Sequence, residues 1–504
     1  MSARRDLLIW ALVFAGLTAL TQFGSIRREI INWDENTFML LGAGLLDGTL
    51  PFVALFDNKP PMIFFLFAGW MGLFGETVPS VRLFGDVCLW ATACTIFVIA
   101  RRYASTGGAG LAGMLYIAMH GVEPGLHTTA GLPAMLCVMI ALWLILRWRE
   151  AAWALLLAGM LVSIAVLTRS NLAYVALTSG IALFALGLWR PEASRCTWKT
   201  ALWYGLGGMI PLALMIGLYA RVGAVEELKL ASVDVALSYS GQWSLPGAAL
   251  GNLRKWVEAM ASTPLVHVPF TLLTCAAIVA SLRPGQGSKQ GLTRADWAII
   301  WVFLLATLFS ILKSGAVYTY YWQQFFPLTC LFVPPLVDRL RAPSLRLGAA
   351  ALVGLAVIGA LLPNAADSLR VLTAPGRVTE NYDTAKAAAF LRPRLKDGDR
   401  IWALDRHLIL LYLDAPVISP ILAHPSNITR SAILAPLEDR RYLPNGELQR
   451  VMDSKPDYLV SNGHDDLFYF RIRSSVDIKA YMRENYDLIF ETPQVTIWQR
   501  KDLT

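Results

Sequence analysis

A chain of 504 residues that is 56% hydrophobic and only 16% charged falls well below the roughly 25% charged residues of an ordinary soluble domain, which excludes a soluble enzyme and makes this a membrane protein. The net charge of +8 does not point to nucleic acid: the Lys and Arg residues cluster in short connections beside apolar runs, the positive-inside pattern, and form no binding stripe. The six cysteines, Cys88, Cys94, Cys137, Cys196, Cys275 and Cys330, fall mostly within apolar runs without metal-ligand or redox spacing, so they read as small core residues.

Arg4-Arg5 followed by apolar residues 7–23 has the layout of a signal sequence. No small-residue cleavage site precedes "SIRRE" and further apolar runs follow, so an uncleaved anchor is expected. Windows long enough to span a bilayer recur near 81–100, 107–122, 127–146, 151–168, 171–189, 201–220, 263–282, 297–313, 321–338 and 346–363. With the first, that makes about 11 spans. A cytoplasmic N-terminus makes every inward connection basic: Arg101-Arg102, Arg147 with Arg149, Arg190 with Arg195 and Lys199, Arg283 with Lys289 and Arg294, then Arg339, Arg341 and Arg346.

The first outer loop, 24–80, breaks this pattern by carrying Asp34, Glu35, Asp57 and Lys59 beside the bilayer. Within it, 36–47 and 62–75 are apolar but short, the length of interfacial helices. A carboxylate shielded at the interface is a stronger base, which suits Asp34 to taking a proton from a hydroxyl. The pair Asp34-Glu35 is equally suited to the first turn of a helix over 36–47. In "FDNKPP", Pro60 and Pro61 stiffen the backbone and hold Lys59 in place. An ammonium so held can neutralise a lipid phosphate, or simply reach ordinary headgroups.

An odd number of spans puts the tail, 364–504, on the same outer side as Asp34. There "DGDRIWAL", "LILLYLD", "KPDYLVSNG" and "YDLIFETPQVTIWQR" read as short strands and "NYDTAKAAAFLRPRL" as helix. This predicts a soluble extracytoplasmic α/β domain of about 140 residues behind a transmembrane domain, 1–363. The tail has no cysteine, so it folds without disulfides.

Asp34-Glu35, then "LLDGTLPF", then "FDNKPP", then Arg82 in "SVRLFGD" together resemble the polytopic GT-C glycosyltransferases of the protein-mannosyltransferase and aminoarabinose-transferase type. The resemblance is close over the first 105 residues, looser over the spans to 363, and general in the tail. It implies a GT-C fold, a polyprenyl-phosphate sugar donor, and inversion at the anomeric carbon. It implies Asp34 as the base with Glu35 beside it, and Asp57 and Lys59 contacting donor phosphate and acceptor. Arg82, with Arg27 and Arg28, is a candidate phosphate clamp. Relatives carry a further acid in the second outer loop; the matching position in "HGVEPGLHTTAGLPAML" is Gly131, and Glu123 and His127 are candidates to replace it.

In "KSGAVYTYYWQQFFP", Tyr320, Tyr321 and Gln324 are candidate substrate contacts, although an aromatic belt accounts for the tyrosines as well. Arg169 in "LTRSN" is a further candidate phosphate ligand. No nucleotide-binding glycine loop and no metal-ligand spacing occurs, so no cofactor is expected and a metal is not required. The expectation is therefore an inverting glycosyltransferase of a bacterial inner membrane. Its active site and tail face the periplasm, and its partners are membrane lipids, the lipid-linked donor and a glycolipid or glycan acceptor such as lipid A or lipopolysaccharide core. A polysaccharide polymerase or ligase, or a secondary transporter, is the alternative.

Overall fold

The computed structural model describes residues 2–122, 125–241, 244–282, 292–313, 318–340, 342–462, 467, 470 and 477–503. Among them, eight helices are long and apolar enough to cross a membrane: 4–27, 78–100, 131–148, 170–189, 198–221, 264–281, 294–313 and 343–361. These coincide with eight of the expected spans. The other three are shorter or broken. Thr106–His120 has 15 residues and Ala152–Thr168 has 17. The run expected at 321–338 is divided into Phe326–Cys330 and Val333–Arg339, because Pro327, Pro334 and Pro335 remove backbone donors and start new turns.

The chain divides into two compact units. The first comprises 1–26, 82–217 and 243–375; the second comprises 27–81, 218–242 and 376–504. In the first, spans pack through small residues where backbones touch. A Cβ built on Gly159 would lie 1.9 Å from the Tyr204 carbonyl oxygen, and one on Gly207 would lie 2.1 Å from that of Leu156, so Ala152–Thr168 and Trp198–Arg221 meet backbone to backbone. This is the small-residue contact by which helices associate without a hydrophobic driving force. Gly159→Ala should therefore cost about 1–3 kcal/mol through forced separation. The check is the thermal melting of detergent-solubilised protein, where an unchanged midpoint would refute the contact. The cysteines are unpaired, with Cys88, Cys196 and Cys330 buried and Cys275 exposed.

In the second unit, the tail's sheet has the order β1-β2-β4-β3, with β1 Ile401–Ala403, β2 Tyr458–Ser461, β3 Tyr486–Glu491 and β4 Thr496–Arg500. β1 and β2 are parallel, whereas β2–β4 and β4–β3 are antiparallel. Three of the expected strand segments supply these four strands. The fourth, "LILLYLD", is instead the helix Leu408–Leu413, closed by Asp414 in the left-handed conformation at φ 54°. Its leucines favour helix, and Ile409 is its one β-branched residue. The helix Asp383–Leu391 lies over the sheet, and its Ala387 and Leu391 share a core with Leu40 of the helix Trp33–Leu46.

That shared core explains why residues 27–81 belong with the tail. Glu29 reinforces it: its two carboxylate oxygens accept the backbone N–H groups of Thr384 and Ala385 at 2.7 and 2.9 Å, satisfying donors that a helix N-terminus leaves open. Burial raises the Glu29 pKa, and these hydrogen bonds oppose the rise. Both segments expected to lie along the membrane surface are helical, as Trp33–Leu46 and Met62–Phe74, with Phe38 edge-on to Phe64 and Phe67.

Candidate active site

Asp34 and Glu35 occupy the first turn of Trp33–Leu46, and Asn32 is the cap, its side-chain oxygen accepting the Asp34 N–H at 2.8 Å. Placement there favours carboxylates through the helix dipole. Glu35 is fully buried. Asp34 is half-buried, and its Oδ1 lies 3.5 Å from Lys59 Nζ. The structure thus brings together the acid and the ammonium singled out in the sequence. Asp57 joins them at 3.9 Å from Lys59, with its side chain 1% exposed and neither oxygen in a hydrogen bond among the described residues. A buried carboxylate without hydrogen bonds is costly, so Lys59 is its compensating charge.

The loop carrying Asp57 and Lys59 is pinned from several sides. Phe56 N–H donates to Pro420 O at 2.8 Å. Tyr442 donates to Phe52 O at 2.8 Å and Tyr219 to Pro51 O at 2.9 Å. Phe52 itself has a positive φ of 69°, a conformation unusual for a bulky residue and held here by these bonds. Lys59 Nζ also reaches Asn58 Oδ1 at 3.0 Å and lies 6.0 Å from the Phe38 ring centre.

One residue of this group was not among the sequence candidates. His424 Nε2 lies 3.1 Å from Asp34 Oδ1. On the other side of the ring, the Ser426 N–H donates to Nδ1 at 3.2 Å, with Ser426 Oγ at 3.0 Å. A backbone N–H can only donate, so Nδ1 accepts and the proton of the neutral ring is on Nε2, facing Asp34. Thr37 ties the preceding residue in place by donating to Ala423 O at 2.7 Å, and its Oγ1 is 3.3 Å from His407 Nε2. Burial lowers the His407 pKa to about 3, which keeps that ring neutral at physiological pH. No local pattern marks His424: it is 390 residues from Asp34 in the chain.

The first unit holds a second set. Arg169, 7% exposed, turns the chain after Ala152–Thr168, and its guanidinium lies 4.1 Å from the Tyr321 ring and 5.7 Å from that of Tyr320. Gln324 is fully buried, and its Oε1 accepts from Asn171 Nδ2 at 3.0 Å. Gln323 accepts from Thr129 at 2.8 Å. A Cβ on Gly131 would lie 3.6 Å from Arg169 Nη1 and 3.8 Å from Gln324 Cγ, so an acid at this position would sit against Arg169. Beside this set, a cavity of 320 Å³ is lined by Trp256, His267, Trp322 and Gln323 among others.

Arg82 is 2% exposed and donates through Nη1 to Ser25 O at 2.5 Å. Arg82 and His127 line one small cavity with Asp86, and the His127 ring is 6.3 Å from that of Tyr320. Glu123 lies outside the described residues. Among the described residues, no three or more His, Cys, Asp or Glu side chains are grouped so as to hold a metal ion.

Residues 58–219 match the family model described as dolichyl-phosphate-mannose-protein mannosyltransferase, a stretch that includes Lys59 and Arg82 but not Asp34. No curated protein matches the chain by sequence. Among solved structures it is similar to ArnT from Cupriavidus metallidurans bound to undecaprenyl phosphate, at 13% identity and a TM-score of 0.62 with 97% of each chain covered. The apo state of ArnT gives 14% identity and a TM-score of 0.59, again with 97% of each chain covered. Archaeal oligosaccharyltransferase AglB from Archaeoglobus fulgidus, in complex with an inhibitory peptide and a dolichol-phosphate, is similar at 10% identity and a TM-score of 0.52, covering 99% of this chain and 74% of that one. The chain shares the fold of ArnT, a polytopic helical membrane protein with a small sheet near its C-terminus, and its residues 58–219 match the mannosyltransferase family model.

Proposed function

We propose that the chain is an inverting membrane glycosyltransferase that moves a sugar from a polyprenyl-phosphate donor to a hydroxyl of an envelope acceptor, such as lipid A, lipopolysaccharide core or another glycan, at the outer face of a bacterial inner membrane. The observation that carries this reading is the Asp34 carboxylate held between an ammonium at 3.5 Å and an imidazole at 3.1 Å. The GT-C fold supports the reaction class, and the ligands named for ArnT and AglB, undecaprenyl phosphate and dolichol-phosphate, support the donor class.

In the resting site Lys59 serves two carboxylates, Asp34 and Asp57. The donor phosphodiester carries one negative charge, as each carboxylate does, and competes for that ammonium; as the sugar departs it becomes a dianion, so Lys59 is drawn to it most strongly as the bond breaks. With Lys59 drawn towards the phosphate, Asp34 becomes the stronger base. The acceptor hydroxyl gives its proton to Asp34, and its oxygen bonds to the anomeric carbon. The carbon–oxygen bond to phosphate breaks, its electron pair stays on the phosphate oxygen, and Lys59 neutralises the developing charge. No step calls for a metal. Glu35 and Asp57 complete the base's surroundings, while Arg82, Arg169, Tyr320, Tyr321 and Gln324 are assigned to substrate contact, with Glu123 and His127 as further candidates.

His424 is a positioning residue: its N–H fixes the oxygen that accepts the proton. His424→Ala should lower kcat by about tenfold, the worth of one charge-assisted hydrogen bond, with little change in the KM for donor. His424→Gln, which keeps a donor, should recover part of the rate. The test is purified protein with radiolabelled polyprenyl-phosphate sugar and a glycolipid extract, scored by transfer of label. No transfer by the wild-type chain to any extract, and no release of polyprenyl phosphate, would refute the reading.

A further inference from the structure

At the basic end of the first unit lies a cavity for which sugar transfer has no use. It measures 280 Å³ and is lined by Arg102, Arg147, Arg149 and Arg195, with Glu150 and Asp296 as the carboxylates. Each arginine comes from a helix end or the connection after it: Arg102 after Val78–Ala100, Arg147 in the last turn of Gly131–Trp148 and Arg149 just beyond it, and Arg195 after Pro191–Ser194. Four positive charges against two negative ones leave a surplus of two.

The two carboxylates are already committed in different ways. Asp296, 2% exposed, holds Arg149 Nη1 at 2.6 Å and accepts the Thr293 N–H and hydroxyl at 2.7 and 2.9 Å. Glu150 faces Arg195 at 3.9 Å with both side chains 67% exposed, a pair worth little in water. Arg149 is 6% exposed, yet its Nε, like Arg102 Nη1, is buried without a hydrogen-bond partner among the described residues. Burial lowers the Arg102 pKa, Asp296 opposes this, and Arg147, Arg149 and Arg195 lower it further. The guanidinium groups therefore crowd one another with too few anions between them.

Depth in the membrane is marked by aromatic residues. Trp148 packs against Trp143 at 4.8 Å and Trp153 at 5.4 Å, and the Arg147 guanidinium lies 5.2 Å from the Trp148 ring. Clustered tryptophans belong at headgroup level, where basic pockets between helices accept phosphate headgroups. We propose that this cavity binds an anion carrying two phosphates and at least two negative charges, supplied by a cardiolipin-type headgroup or by free pyrophosphate. Arginine forks match phosphate oxygens, and two negative charges cancel the surplus. The site stands whether or not the chain transfers sugar.

The test uses the full chain in nanodiscs of phosphatidylcholine doped with cardiolipin, with retained lipid read by native mass spectrometry, and a parallel titration with sodium pyrophosphate in neutral detergent. Cardiolipin should be retained well above its share of the bilayer. Arg102→Gln with Arg195→Gln should weaken retention by about 20-fold, at roughly fivefold per charge near the surface. Glu150→Gln, which adds net positive charge, should strengthen it by about fivefold, a gain that misfolding cannot produce. Pyrophosphate binding with the same response to the variants, and no lipid enrichment, would assign the site to a free anion. No enrichment of either ligand, or enrichment indifferent to all three substitutions, would overturn the proposal.

Discussion

Replacing Asp34 by Asn is expected to lower the single-turnover rate of sugar transfer by about 10²–10⁴-fold, the range over which a placed general base acts. The substitution is nearly isosteric. The amide oxygen can still accept from His424 Nε2, at 3.1 Å in the native protein, so the ring and the turn of Trp33–Leu46 stay in place. What is lost is the negative charge and the capacity to take a proton. Lys59 loses a carboxylate partner, so its attraction for a phosphate grows, and donor binding should hold or tighten as the rate collapses. A variant that lost donor binding and kept its rate per bound donor would assign Asp34 to recognition instead of proton transfer.

Lys59→Met is expected to lower the transfer rate by about 10²–10³-fold, the usual cost of removing one group that stabilises developing charge, and to weaken donor binding as well. Methionine keeps an unbranched side chain of similar length and removes the ammonium. A second consequence follows from Asp57, which is 1% exposed and has Lys59 as its ion partner at 3.9 Å. Stripping one partner from a buried pair costs about 3–5 kcal/mol, so the variant should also melt earlier. Lys59→Arg separates the two effects, since it restores the charge to Asp57 while presenting a fork where a point charge stood. Donor titration and thermal melting of the three proteins check this. A Lys59→Met protein with normal stability and normal donor affinity would show that the ammonium faces neither anion.

Much of this site was readable in the sequence because its parts are local. Asp34, Asp57 and Lys59 fall within one loop, and the prolines after Lys59 and the apolar segments around them announce a rigid, membrane-edge turn. The hairpin β3–β4 and the helix over 383–391 were also legible, each being a short segment with its own periodicity. His424 was not: a single histidine in an irregular stretch carries no periodicity and no motif, and its role exists only because the tail folds back upon Trp33–Leu46. "LILLYLD" failed for a related reason, since a short continuous apolar run lacks the alternation that separates strand from helix. The broken span around Pro334-Pro335 shows the opposite case, in which hydropathy read continuity and the prolines decided the geometry.

The most direct test of a shared pocket is a double-mutant cycle on transfer rate with Asp34→Asn, Lys59→Met and the two combined. Residues acting as one unit lose their effect together, so the combined variant should be little slower than the slower single variant. Losses that multiply, or a rate close to wild type in either single variant, would contradict the claim that this carboxylate and this ammonium work on the same reacting centre.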